Sequence, residues 1–199
     1  MPDRLPRLGL SRGTVQLVAA DTRWPRLFCK EAARLEAVVR SSGLRPLAFE
    51  HVGSTAVPGL AAKPILDFMA GHPPMEDPRP YVEALTAAGY EPRGPQGAPD
   101  RELLVLGPES CRTRHLNLVE RDGAFWRDHI AFRDMLRAQP RLAARYQALK
   151  LALSERHPLD RGAYTAGKAA FVLDTLRHLV EGDPGAHRPG PAEACPGVY

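Results

Sequence analysis

The residues best equipped for chemistry lie between Glu50 and Asp67, in the segment EHVGSTAVPGLAAKPILD. Glycine at position 53 lets a backbone approach a phosphate closely. Ser54 and Thr55 offer hydroxyl and amide donors, and a helical turn starting there points free N–H groups at an anion. Asp67 sits in an apolar run, PILDFMA, where a carboxylate needs a metal, a basic partner or a hydrogen-bond network. Magnesium bridging a carboxylate and substrate phosphates is the common solution. Asp67 is therefore a candidate metal ligand, with Glu50 as a second if it points the same way. Lys63 precedes Pro64, which fixes an extended backbone there and aims the lysine toward the strand edge. The bland alternatives are a tight turn at Gly53-Ser54 and a structural carboxylate at Asp67 paired with Lys63 or an arginine.

Other positions carry weaker signals. Lysine is scarce: Lys30, Lys63, Lys150 and Lys168 are the only four among 27 basic residues. Arginine does not replace lysine where a compact ammonium is needed, so each surviving lysine attracts some interest. His115 and Asn117 alternate on a predicted strand and share one face, either as site residues or as a hydrogen-bonded pair lining the core. Tyr164 and Lys168 form an i, i+4 pair on a predicted helix. Arg133, Arg137, Arg141 and Arg145 recur every four residues and read as a solvated charged face. Trp24 and Trp126 read as packing anchors.

The elements that would position these residues follow from periodicity and punctuation. Thr14–Ala19 is β-branched and alternating and predicts a short strand. Asp21 or Thr22 caps a predicted helix to about Arg40, with Phe28, Leu35 and Val39 on one face. Leu47–Val52 and Pro64–Ala70 predict strands on either side of a loop over 53–63 that holds one helical turn. A helix over Tyr81–Ala88 closes at Gly89, and a Pro/Gly-rich loop spans Glu91–Asp100. Strands are predicted at Glu102–Leu106 and His115–Glu120. Helices follow over Trp126–Gln139, from Pro140 to about His157, and from an Asp160 cap to Glu181. Mixed elements first and helices afterwards make an α+β fold, a mixed sheet covered by helices with a helical C-terminal part.

Composition bounds the rest. The 199 residues, 44% hydrophobic, suffice for one domain with a real core. We expect a flexible N-terminus over 1–12, one domain over 13–181, and a disordered Pro/Gly-rich tail over 182–199. No run approaches the roughly 18 apolar residues of a membrane span, and the N-terminus lacks an apolar signal region; the expected location is cytoplasmic. A net charge of +4 without a basic stripe gives no strong nucleic-acid signal. The three cysteines are far apart with no C-x-x-C, which argues against a zinc site.

The segment EHVGSTAVPGLAAKPILDF resembles the signature of the GrpB family. Gly89-Tyr90, RTRHLNLVE from Arg112, HIAFRDMLR from His129, YQALK from Tyr146 and YTAGKAAFV from Tyr164 agree in order. The likeness runs from about Val15 to Leu179. It implies a nucleotidyltransferase-like fold and a relation to domains fused behind dephospho-CoA kinase in some bacteria. In that superfamily a Gly-Ser holds the triphosphate of an NTP, and two carboxylates spaced Asp-x-Asp hold divalent metal. Carried over, Gly53, Ser54, Thr55, Lys63 and Lys168 would bind the nucleotide. Asp67 and Glu50 would bind magnesium weakly, and Asp67, His115 and Asn117 would serve catalysis. The expected partners are a nucleotide and a small acceptor. Two departures stand out. Met69 occupies the second carboxylate position, and Asn117 stands where the family often has the second histidine of His-x-His. The resemblance therefore supports two readings: a nucleotidyltransferase, or a nucleotide- or phosphate-metabolite-binding module with a degenerate metal site and a possible tie to coenzyme A metabolism.

Overall fold

The computed structural model describes residues 8–182, with side chains to residue 178. Its helices are α1 (Trp24–Ser41), α2 (Arg79–Ala87), α3 (Ala124–Ala138), α4 (Pro140–Arg156) and α5 (Arg161–Gly182). Its strands are β1 (Ala48–Val52), β2 (Leu66–His72), β3 (Glu91–Pro92), β4 (Arg101–Leu106) and β5 (Arg114–Glu120). They form one mixed sheet in the order β1-β2-β5-β4-β3. Only β2 and β5 run parallel; the other pairs are antiparallel. The fold is α+β.

Register decides what each face carries. β2 aligns Asp67 with His115 and Met69 with Asn117 on β5. β1 aligns Val52 with Asp67 and Glu50 with Met69. Partners across a ladder share a face, so Glu50, Asp67, His115 and Asn117 emerge together. The intervening residues Leu66, Phe68, Ala70, Leu116 and Leu118 form the main core with Leu104, with Phe28, Leu35 and Val39 of α1, and with Tyr81 and Leu85 of α2. The polar face is covered instead by the helical C-terminal part, which packs through Trp126 against Val52, Met69 and Val119. Both tryptophans are buried anchors.

Element starts and stops follow local chemistry. Pro25 fits the first turn of α1, whose N-cap is Arg23; the Asp21 carboxylate binds the Arg23 amide and guanidinium rather than capping the helix itself. Asp160 accepts from the Ala163 amide at the start of α5.

Two expectations are corrected. Thr14–Ala19 is not a strand of the sheet and makes one bridge, Val18 to Ala62. Its other contacts run toward α4 and α5: the Val15 amide bonds the Pro158 carbonyl, and Val15 packs with Leu153 and Tyr164. The flexible N-terminus ends earlier than residue 12, because Leu10 is buried and bridged to Arg112, and Gly9 donates to the Pro64 carbonyl. Residues 1–7 lie outside the described residues, as does the expected tail beyond Gly182.

Candidate functional site

The loop between β1 and β2 forms the centre. Gly53 has φ 70° and ψ −169°, a conformation that L side chains rarely adopt. A Cβ on Gly53 would stand 3.0 Å from the Asp67 Cβ, so glycine is what lets the loop cross directly over the Asp67 side chain. One turn of 3₁₀ helix follows, Ser54–Ala56, as the sequence predicts. The helical part of the chain then pins this loop at several points. Arg133 donates to the His51 carbonyl and Arg137 to the Ala56 carbonyl. Gln147 accepts from the Ala61 amide, and the Lys150 ammonium donates to Ser54 Oγ at 2.9 Å and to the Ala61 carbonyl.

Asp67 has 36% of its side-chain surface open to solvent and accepts a 2.9 Å hydrogen bond from His115 Nδ1. Burial raises its pKa, but the His115 bond and the cations Lys63 and Arg161 outweigh this and hold it at about 2. It is therefore ionised and reachable. His115 supports it from behind: its Nε2 is buried and has no partner among the described residues. The Nδ1 bond is what orients Asp67.

Around this one carboxylate stand Lys63, Arg161 and Lys168, whose charges all act on it. Lys63 and Lys168 both reach the Tyr164 ring, their Nζ atoms 5.7 and 4.5 Å from its centroid. None of the three cations has a carboxylate within ion-pair distance among the described residues. Burial pushes the Lys63 pKa down to about 8 and lowers that of Lys168. Lys63 and Lys168 are half-buried, and a partly desolvated ammonium whose nearest carboxylate is beyond ion-pair distance is incompletely compensated; an arriving anion would relieve that cost. Three of the four lysines of the chain, Lys63, Lys150 and Lys168, thus converge here, while Lys30 is exposed on α1.

The remaining predicted residues fall elsewhere in role. Thr55 is buried and its hydroxyl pairs with His51 Nε2 at 3.0 Å, so it faces the interior. Asn117 is buried, donating to the Phe68 carbonyl and accepting from Arg101. Glu50 is bound at 2.6 Å by Arg133, which is 1% exposed and also holds Asp134. The reading of Arg133 and Arg137 as a solvated face is corrected by these bonds; Arg141 and Arg145 are exposed. Period-four arginines look alike in sequence, and only the placement of a loop beneath the first two separates them. Arg161 and Arg101 carry no signal in the sequence, and Lys150 is marked there only by the scarcity of lysine.

This donor set does not fit a magnesium centre. Met69 is fully buried in the Trp126 cluster, Glu50 is spent on Arg133, and Asp67 stands alone among cations. Among the described residues no three His, Cys, Asp or Glu side chains are grouped to hold a metal ion. Magnesium in phosphate sites takes one or two carboxylates besides phosphate and water oxygens, and the one carboxylate here is already surrounded by Lys63, Arg161 and Lys168, whose charges oppose a metal ion.

The family described as GrpB protein matches residues 14–178. The chain belongs to the GrpB family. A glutamate-rich protein GrpB of Alkalihalophilus pseudofirmus is 34% identical over 86% of this chain and 99% of the relative. A UPF0157 protein of Pseudomonas aeruginosa is 40% identical, over 81% of this chain and 66% of the relative. A dephospho-CoA kinase of Mycolicibacterium paratuberculosis is 30% identical over 84% of this chain, which spans only 46% of that protein's length. Among solved structures, the GrpB protein of Enterococcus faecalis superimposes with a TM-score of 0.73 at 31% identity, covering 84% of this chain and 98% of that one. The GrpB relatives are bacterial, and among the described residues no helix is long and apolar enough to cross a membrane.

Proposed function

We propose that this GrpB protein binds the phosphate groups of a nucleotide or nucleotide-like metabolite over Gly53, Ser54 and Asp67, and does so without a divalent-metal cluster. The observation that carries the reading is the trio Lys63, Arg161 and Lys168, cations lacking carboxylate partners and gathered around one open carboxylate. Charge-assisted hydrogen bonds to phosphate are the strong ones, and here the donors are already half-buried. Gly53 admits close approach of the phosphate to the backbone. The match to part of a dephospho-CoA kinase makes coenzyme A and dephospho-CoA the first metabolites to try beside the NTPs.

Nucleotidyl transfer from an NTP to a small acceptor is the second reading. What favours it is Asp67, an ionised carboxylate kept in place by His115 and partly open to solvent. The two readings separate on one assay. Incubation with each NTP and a mixture of small hydroxyl and amine acceptors releases pyrophosphate if transfer occurs. The binding reading predicts no release above the buffer rate, together with saturable binding of the same nucleotides by calorimetry in EDTA. Steady pyrophosphate release that Asp67→Asn abolishes would establish the transferase and overturn the binding-only reading.

A further inference from the structure

Phosphate binding leaves Lys150 without a task. This lysine of α4 is 1% exposed. Among the described residues its Nζ makes two hydrogen bonds, to Ser54 Oγ at 2.9 Å and to the Ala61 carbonyl, and has no carboxylate within ion-pair distance. The Tyr146 ring lies beside it, its centroid 5.1 Å from Nζ. Burial, with the nearby charge of Lys168, pushes the Lys150 pKa down to about 7. Near neutral pH much of it is therefore the free amine.

The free amine has two N–H bonds and one lone pair. The Ala61 carbonyl only accepts, so it takes an N–H. The lone pair is left for the Ser54 hydroxyl, whose oxygen has no other hydrogen bond among the described residues. Ser54 is only half-buried, so it stays reachable while its partner is sealed off. A hydroxyl within hydrogen-bond reach of an uncharged base is an activated nucleophile, and serine with lysine is one form of that pair. Pinning the loop does not by itself call for an amine. Arg133 and Arg137 hold the His51 and Ala56 carbonyls of the same region, and arginine has no lone pair to offer.

We propose that Ser54 and Lys150 act as nucleophile and general base in cleaving an acyl ester or thioester that carries phosphate. The phosphate half of this substrate rests on the function proposed above; the Ser54–Lys150 pair does not. Lys150 Nζ takes the Ser54 hydroxyl proton as Oγ bonds to the acyl carbon. The substrate's C–O or C–S bond breaks, and the leaving oxygen or sulfur keeps the electron pair and receives that proton. Water then attacks the Ser54 ester, giving its proton to Nζ and from there to Oγ, and a carboxylic acid departs. Lys168, whose charge acts on both Lys150 and Asp67, supplies positive charge for the oxyanion formed on the way.

A fluorophosphonate, which phosphonylates activated serines without needing a phosphate subsite, is the probe, with the adduct located by peptide mass spectrometry. The full chain should label once, at Ser54, and Ser54→Ala should not label. Lys150→Arg keeps donors for Ser54 and Ala61 but accepts no proton, and should slow labelling about a hundredfold or more. In the natural chain labelling should speed up as pH rises through about 7, a readout that does not depend on the variant folding. The charged and titratable groups beside Lys150 are Lys168 and Tyr146, and neither loses its proton first. No adduct, an adduct elsewhere, an equal rate in Lys150→Arg or a rate flat in pH overturns the proposal. ATP in EDTA should slow labelling by covering Ser54. ATP that raises the melting temperature yet leaves labelling unchanged overturns the substrate class. Labelling at Ser54 in a chain that ATP does not stabilise refutes the phosphate reading and supports the pair alone.

Discussion

Asp67 and Met69 are two residues apart and meet opposite fates. Asp67 stays ionised because His115, Lys63 and Arg161 stabilise its charge more than burial penalises it. Its folded pKa of about 2 lies below the ordinary 3.8. In that window the unfolded chain binds the extra proton, so stability rises with pH; the contribution is complete above 3.8 and is lost as pH falls through about 2. Thermal melts between pH 5 and pH 2 should therefore fall less steeply for Asp67→Asn than for the natural chain. Equal slopes would show that the charge is not stabilised. Met69 is the other case. The residue alternation correctly places it on the face of Asp67, and completing an Asp-x-Asp pair looks from sequence like a way to strengthen magnesium binding. The Trp126, Val52 and Val119 cluster covers it instead. Met69→Asp should destabilise the chain by several kcal/mol, the effective cost of a buried ion, and add no magnesium affinity. Denaturant titration and calorimetry check both outcomes.

At the scale of elements, the loop over 53–63 is anchored by Val57 and Leu60, which pack with Leu136 and Tyr146, and its backbone is held by polar side chains from α3 and α4. Arg133 is the deepest of these. Replacing it by methionine leaves Glu50 buried without its cation, a type of change that costs about 3–5 kcal/mol. Arg133→Met should lower the denaturant midpoint accordingly, and adding Glu50→Gln should recover a large part of the loss. No recovery would mean that packing, not charge, is what Arg133 supplies. This dependence explains what the sequence could and could not reveal. Strands β1, β2, β4 and β5 and all five helices were legible because their apolar periods are strong and Gly, Pro and Asp mark their ends. Gly53, Ser54 and Asp67 were legible from residue type and order. The supports were not. Arg133 and Lys150 reach across more than 80 residues to the loop, and no local pattern reports a contact at that separation. Thr14–Ala19 misled for a related reason, since β-branched alternation signals an extended chain and not the partner it finds.

At the scale of the whole molecule, charge is sorted. Lys63, Arg161 and Lys168 gather around Asp67, and Glu76, Asp100, Glu102 and Glu120 lie with Arg101 toward the other ends of β2 and β5. Lys63 adds a pH signature. A bound anion raises its pKa above the free value of about 8, so binding near pH 8 takes up a proton and affinity declines as pH rises beyond that value. Calorimetry in buffers of differing ionisation enthalpy reads the proton uptake directly.

The central claim is that Lys63 and Lys168 hold phosphate without metal, and thermal unfolding of the full chain with ATP, in EDTA and in magnesium, tests it most directly. Burial disfavours both ammonium groups, so Lys63→Met/Lys168→Met should melt no lower than the natural chain. The account predicts that ATP raises the melting temperature of the natural chain equally in EDTA and in magnesium, and that the double variant loses the rise. Stabilisation that requires magnesium, or that survives in the double variant, would contradict it.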